Sequence, residues 1–219
     1  MGNHIWATSG GVAKPALARR PRARDCRGMV EMRDSMDLSG KLLIAMPGMG
    51  DTRFEKSVIF LCAHSPEGAM GLIVNKPLSD LSFATLLRKL KIPSGGHGSD
   101  ILVHLGGPVE HARGFVLHSG EYRAASTTMQ INESYGLTAT LDVLQDISAG
   151  HGPVASLLAL GYSGWGPGQL EREIGQNGWL TCDAPVELVF SGINPTKWER
   201  ALKTLGVDPL VLSATAGRA

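Results

Sequence analysis

The chain has 219 residues, 43% of them apolar, and a formal net charge of +1. That supports one large domain or two small ones, and no run approaches the roughly 18 apolar residues that a bilayer span requires, so the sequence reads as a soluble, cytoplasmic protein with no membrane partner. The charge is uneven: residues 1–35 hold seven Lys/Arg against three Asp/Glu, which leaves fourteen basic and seventeen acidic residues, a net of −3, for the rest. Phosphate neutralisation needs clustered basic residues, so this balance argues against direct nucleic-acid binding by the body.

Residues 1–35 are rich in Gly, Pro and Arg with little apolar periodicity. They read as a disordered basic extension, or as upstream sequence from a misassigned start with Met36 as the true one; an organelle transit peptide is the other option. Their removal is expected to leave stability unchanged. Residues 36–219 then form a single domain. Cys26, Cys62 and Cys182 include no close pair, so neither a disulfide framework nor a zinc knuckle is expected.

In the body, Lys41–Met46 and Ser57–Ala63 read as buried strands around the turn Pro47–Asp51, and Ala69–Asn75 as a third strand halted by Lys76-Pro77. Asp80 or Ser82 caps a helix Phe83–Leu90. After the loop Pro93–Asp100, strands Ile101–Leu105 and Gly114–His118 flank Gly106-Gly107-Pro108. Residues 119–136 read as irregular with one strand near Thr128–Ile131, and Thr138 or Thr140 caps a helix through Ile147. Val154–Leu160 is a strong strand feeding a glycine-rich loop, followed by a short helix Leu170–Ile174. Trp179–Cys182 and Val186–Phe190 read as strands, and Pro195 opens a last helix through Leu205 that Gly206 ends.

Several segments in this order resemble the AlgH/YqgE family of bacterial proteins. They are LSGKLLIAMPGMGDTRF from Leu38, GAMGLIVNKPL from Gly68, GGPVEHARGFVLHS from Gly106 and GYSGWGPGQLEREI from Gly161, with Asn177–Leu180 and the ending Trp198…Leu205-Gly206. The resemblance spans residues 38–212. It implies an α+β fold with a mixed, branched β-sheet, part of it a small barrel, surrounded by helices. It brings no established activity, no agreed catalytic residues and no cofactor. The family takes its name from genetic links to alginate regulation, and members are labelled transcriptional regulators.

The segment Gly161–Gly168 is the densest in glycine and aromatic residues. Two readings stay open for it: a tight reversal with Tyr162 and Trp165 packed over it, or an anion or small-molecule pocket at a helix start. It fails both phosphate fingerprints, since Gln169 stands at the third dinucleotide position and no Gly-Lys-Ser/Thr follows. Ser163 lacks the glycine frame of a nucleophile elbow, because Trp165 stands at its last position. His104, His111 and His118 recur every seven residues but flank glycines that forbid one continuous helix, and zinc ligands come at tighter spacings.

The expected site places Gly106, Gly107 and Pro108 against Gly164, Trp165, Gly166 and Gln169 as one pocket wall, with Arg113, His118 and Asn177 nearby. Gly166 is expected to be needed for its shape. Asn75 shapes the turn ahead of Pro77, and Lys76 is a further binding candidate. No catalytic residue, metal or cofactor is assigned. The favoured function is a non-enzymatic regulatory protein that binds a small molecule or a protein partner. A DNA-associated regulator and an enzyme of unknown chemistry are the alternatives.

Overall fold

The computed structural model describes residues 37–123, 128–209 and 212. The expected extension 1–35 lies outside them. The fold is α+β, a curled, mainly antiparallel sheet with five α-helices among the described residues.

Strands β1 (Lys41–Ala45), β2 (Val58–Ser65) and β3 (Gly68–Ile73) run as an antiparallel meander. β1 and β2 are buried on both faces: Leu42, Ile44, Val58, Phe60 and Cys62 join one core cluster, whereas Leu43, Ala45, Ile59 and Leu61 join another. Alternating side chains of a strand point to opposite faces, so a continuous apolar run becomes two cores. β3 ends at Ile73, ahead of Lys76-Pro77, and the proline opens the next strand, β4 (Pro77–Ser82). Proline is accepted at the first residue of a strand, and β4 pairs only with β5 (Leu102–Leu105).

Helix α1 (Phe83–Leu90) starts at Ser82, whose Oγ accepts from the Thr85 N–H at 3.2 Å. It packs with α2 (Leu141–Ala149) over Val103, Val116 and Leu158. Thr140 stands at the N-cap of α2 but makes no side-chain cap bond. β6 (Val109–Ser119) is longer than expected and carries an irregularity between Val109 and Gly114. The strand expected near Thr128–Ile131 is β7 (Thr128–Gln130), and a second strand not expected from the sequence follows, β8 (Tyr135–Thr138). β8 curls the sheet back on itself: the Tyr135 hydroxyl donates to the Ala184 carbonyl at 2.6 Å, and its ring lies 4.6 Å from that of Phe60.

β9 spans Ser156–Trp165. Most of the expected glycine-rich loop is strand, because β9 continues through Gly161 to Trp165. It is also the fork of the sheet. Its first half pairs parallel with β5, its second half pairs antiparallel with β3, and β6 runs along its other side. The fork requires glycine. Gly161 has φ +72°, and a Cβ there would stand 2.7 Å from the Gly107 carbonyl oxygen. A Cβ on Gly106 would stand 2.2 Å from the Gly161 carbonyl oxygen, and one on Gly107 2.2 Å from the Tyr162 carbonyl carbon. Two backbones cross here at a separation no side chain permits.

Helix α3 (Gln169–Gly175) leads into β10 (Trp179–Asp183), which pairs with β1. Val186–Phe190, expected as a strand, instead contains helix α4 (Val186–Val189). Pro185 at its N-cap and Glu187 in the first turn fit one helical turn, which buries Leu188 and Val189. Pro195 lies in a 3-10 turn (Asn194–Thr196) that opens α5 (Lys197–Thr204). Lys197 is fully buried, yet its Nζ donates to the Val74 and Val189 carbonyls at 2.7 and 3.0 Å. Burial pushes its pKa down to about 8. No helix of the described residues is long and apolar enough to cross a membrane.

Candidate functional site

A cleft of about 610 Å³ opens where β9 ends, beside the turn after β1 and the face of α3. Its walls follow from local sequence. After Trp165 the chain reverses: the Gly166 N–H donates to Gln169 Oε1 at 3.0 Å, the Gln169 N–H donates to the Gly166 carbonyl at 3.0 Å, and Gly168 takes φ +66°. Gln169 and Glu173, one helical turn apart on α3, then share a face, while Leu170 packs into the core. At the other end of α3, Asn177 takes a left-handed φ of +58°, and the Gly178 N–H donates back to the Glu173 carbonyl. This closure delivers Trp179 beside Trp165.

Glu173 organises the cleft. Its Oε2 accepts from the indole N–H of Trp165 at 2.9 Å and of Trp179 at 2.8 Å, and its Oε1 accepts from the Gln169 amide at 2.8 Å. All these donors are neutral, and among the described residues the carboxylate has no cationic partner. Trp179 meets Phe54 edge to face at 5.5 Å and Trp165 at 5.9 Å, with interplanar angles of 72° and 80°. Phe54 is placed by the turn Pro47–Asp51, where Asp51 caps the 3-10 helix Thr52–Phe54 and also holds the Arg53 guanidinium at 2.6 Å. This partner holds the Asp51 carboxyl below its ordinary pKa.

The structure gathers Gly164, Trp165, Gln169 and Asn177 of the expected site around this cleft, together with Pro108. Gly106 and Gly107 lie beneath it in the fork, both buried. Gly166 is exposed, has no positive φ, and would bring a Cβ no nearer than 3.9 Å to Gln169 Oε1, so its local geometry does not demand glycine. Asn75 is engaged with the β2 start: Oδ1 accepts from the Val58 N–H and Nδ2 donates to the Lys56 carbonyl. Lys76 Nζ donates to the Arg53 carbonyl at 2.7 Å, behind the cleft turn, and partial burial lowers its pKa.

Arg113 and His118 stand apart. Arg113 lies over the Phe115 ring at 5.2 Å and bonds Glu110. His118 is buried: its Nδ1 donates to the Ser119 carbonyl, and its Nε2, 3.0 Å from the Thr138 hydroxyl, accepts from it in the neutral ring. Burial lowers its pKa. Ser163 is buried with Oγ 3.4 Å from the Gly106 carbonyl. Among the described residues no group of three His, Cys, Asp or Glu could hold a metal.

Phe54, Glu173 and Trp179 were not among the residues expected to form the site. The spacing of Gln169 and Glu173 on one helical face was visible in the sequence; the meeting of Trp165 with Trp179 and Phe54 was not. A second, more open cavity of about 460 Å³ lies between the loop before β5 and the segment after α2, with His104 in its wall. His104 is buried, which lowers its pKa, and stands 3.3 Å from Asn194 Oδ1.

Comparison with known proteins places this architecture. A family model described as AlgH-like (DUF179) matches residues 42–210. A UPF0301 protein of Cereibacter sphaeroides is 59% identical over 184 residues, covering 84% of this chain and all of that protein. One from Ruegeria pomeroyi is 60% identical over 185 residues, with the same coverage. The solution structure of the AlgH protein from Pseudomonas aeruginosa superposes with a TM-score of 0.69 at 40% identity, covering 84% of this chain and 97% of that one. A crystal structure from Corynebacterium diphtheriae, at 18% identity and a TM-score of 0.63 over 83% of this chain and 92% of its own, shares the fold. The chain belongs to the AlgH-like UPF0301 family.

Proposed function

We propose that the chain is a cytoplasmic, non-enzymatic binding protein with a regulatory role, and that the cleft over Trp165 and Trp179 is its ligand site. The observation that carries this reading is the Glu173 arrangement. Three separate segments converge on one carboxylate, and together with Phe54 they wall a concave space of about 610 Å³. Ligand sites are typically concave, largely apolar and furnished with a few fixed polar groups. The regulatory part of the reading rests on the family resemblance. Ser163, the nearest approach to a nucleophile motif, is turned toward a backbone carbonyl within the fork, which supports binding over catalysis.

A thermal-shift screen of nucleotides and metabolites tests this, because a ligand that binds only the folded state raises its melting temperature. A hit should stabilise the wild type and lose most of its effect in Gln169→Ala and Phe54→Leu. A hit that is indifferent to both substitutions, or a screen without hits, overturns the cleft as the ligand site.

A further inference from the structure

The second cavity, apart from the cleft, is walled in part by the turn Phe190–Gly192, and Gly192 and Ile193 are exposed. Three basic side chains hold this stretch of chain. Lys197 Nζ donates to the Val189 carbonyl at 3.0 Å, Arg200 donates to the Ser191 hydroxyl at 2.8 Å, and His104 of β5 meets the Asn194 side chain at 3.3 Å. Among the described residues no carboxylate is paired with any of the three. Of these side-chain types, only histidine changes charge in mild acid.

His104 is one proton short of its surroundings. It is 4% exposed, with Nδ1 3.1 Å from the Leu102 carbonyl oxygen and Nε2 3.3 Å from Asn194 Oδ1. A neutral imidazole has one N–H and one lone pair, so it satisfies one of these oxygens and turns a lone pair on the other. Turning the Asn194 amide over does not remove the conflict. Its Nδ2 donates to the Gly192 carbonyl at 3.3 Å, and the exchanged oxygen would face that carbonyl instead. Only the imidazolium donates on both sides. Burial opposes it and lowers the His104 pKa, and the Lys197 charge adds to this; the Asn194 side chain and the backbone of Leu102 and Leu158 act the other way. Arg200 acts on Lys197, and His97 and Asp100, on the loop before β5, line the same cavity.

We propose that His104 is a proton-operated clamp: on acidification it takes up a second ring proton, donates to the Leu102 carbonyl and the Asn194 side chain together, and ties the stretch Val189–Asn194 to β5, stiffening that wall of the second cavity.

Nuclear magnetic resonance on the full chain, from about pH 8 to about pH 5, reads the clamp directly. The His104 ring should titrate below the ordinary 6.5 and, in its acidic form, show two ring N–H protons protected from exchange with water. The Asn194 backbone N–H, which donates to the Gly192 carbonyl, should exchange more slowly in acid once the intrinsic pH dependence of exchange is removed. Asn194→Ala deletes one acceptor and should lower the titration midpoint by roughly half a unit or more. Lys197→Met deletes a repelling charge and should raise it. Circular dichroism reports whether each variant is folded; the ring and amide measurements use the wild type alone and decide the matter if neither variant folds. A ring that takes up no proton down to about pH 5, a single protected ring N–H in the acidic form, an Asn194 amide that exchanges no more slowly in acid, or an unchanged midpoint in a folded variant overturns the clamp.

Discussion

Gly161 and Gly166 belong to the same short motif, yet their environments are opposite. At Gly161, in the fork, backbone meets backbone: φ is +72° and an added Cβ would stand 2.7 Å from the Gly107 carbonyl oxygen. At Gly166, beside the cleft, the nearest atom to an added Cβ is 3.9 Å away on a flexible side chain. Glycine density in a sequence therefore has two meanings within six residues. In the fork it is a steric requirement of a branching sheet. Beside the cleft, at Gly166, the local geometry sets no such requirement.

The strongest way to break this comparison is Gly107→Ala. Its Cβ would stand 2.2 Å from the Tyr162 backbone, which has no free direction to move. The expected loss is about 3 kcal/mol or more, or failure to fold, measured by denaturant unfolding. A fully stable variant would show that the fork tolerates separation.

Lys197 tests the ground next to the fork, since it holds the Val74 carbonyl one residue beyond Ile73, whose N–H bonds Gly106. The unfolded chain keeps this proton up to the ordinary value of 10.5, whereas the folded chain releases it near pH 8. Between those values the unfolded state binds more protons, so the stability contributed by Lys197 rises with pH. The stability of wild type minus that of Lys197→Met should increase by about 3 kcal/mol from below pH 8 to above pH 10.5, from the linkage of about 1.4 kcal/mol per pKa unit. Taking the difference removes the opposing contributions of Cys62, Cys182, Tyr122 and Tyr135, whose pKa values burial raises. A flat difference would mean that the folded chain holds the Lys197 proton as firmly as the unfolded one, so that burial does not penalise its charge.

On the cleft side, Glu173→Ala leaves both indole N–H groups without their acceptor, and should cost about 1–3 kcal/mol in a melt or denaturant series. A smaller loss would indicate that water replaces the carboxylate and that the cleft is not organised by it. The smallest effect is expected from Gly166→Val, within about 0.5 kcal/mol of wild type, as for an exposed surface change. A loss comparable to that of Gly107→Ala would erase the distinction between the two halves of the motif.

Much of this architecture was readable beforehand. The Phe83–Leu90 helix carries its cap at Ser82 and its buried Leu86 and Leu87 in consecutive sequence, so local chemistry defines it. Strands β1 and β2 declare themselves as short apolar runs between turn residues. The failures had two origins, one local and one not. Val186–Val189 has three apolar residues of four, and periodicity cannot separate one helical turn from a short strand. Tyr135–Thr138 offers four residues whose identity as a strand depends on β6 and β7 lying beside them.

For the site, sequence alone determined that the glycine-rich segment from Gly161 to Gly168 had a constrained shape, that a short helix followed it, and that several independent motifs matched one family. Those facts live in residues close in the chain, where dihedral limits and helical spacing act without help from the rest of the molecule. Only the tertiary structure decided that Gly161 lies in a strand, since its contact with Gly107 spans 54 residues of sequence. Only it decided that Trp165, Trp179 and Phe54 meet over one carboxylate, while His118 and Arg113 are spent elsewhere. Ring packing and the desolvation of a charge depend on neighbours brought together by the whole sheet, and no local pattern encodes them.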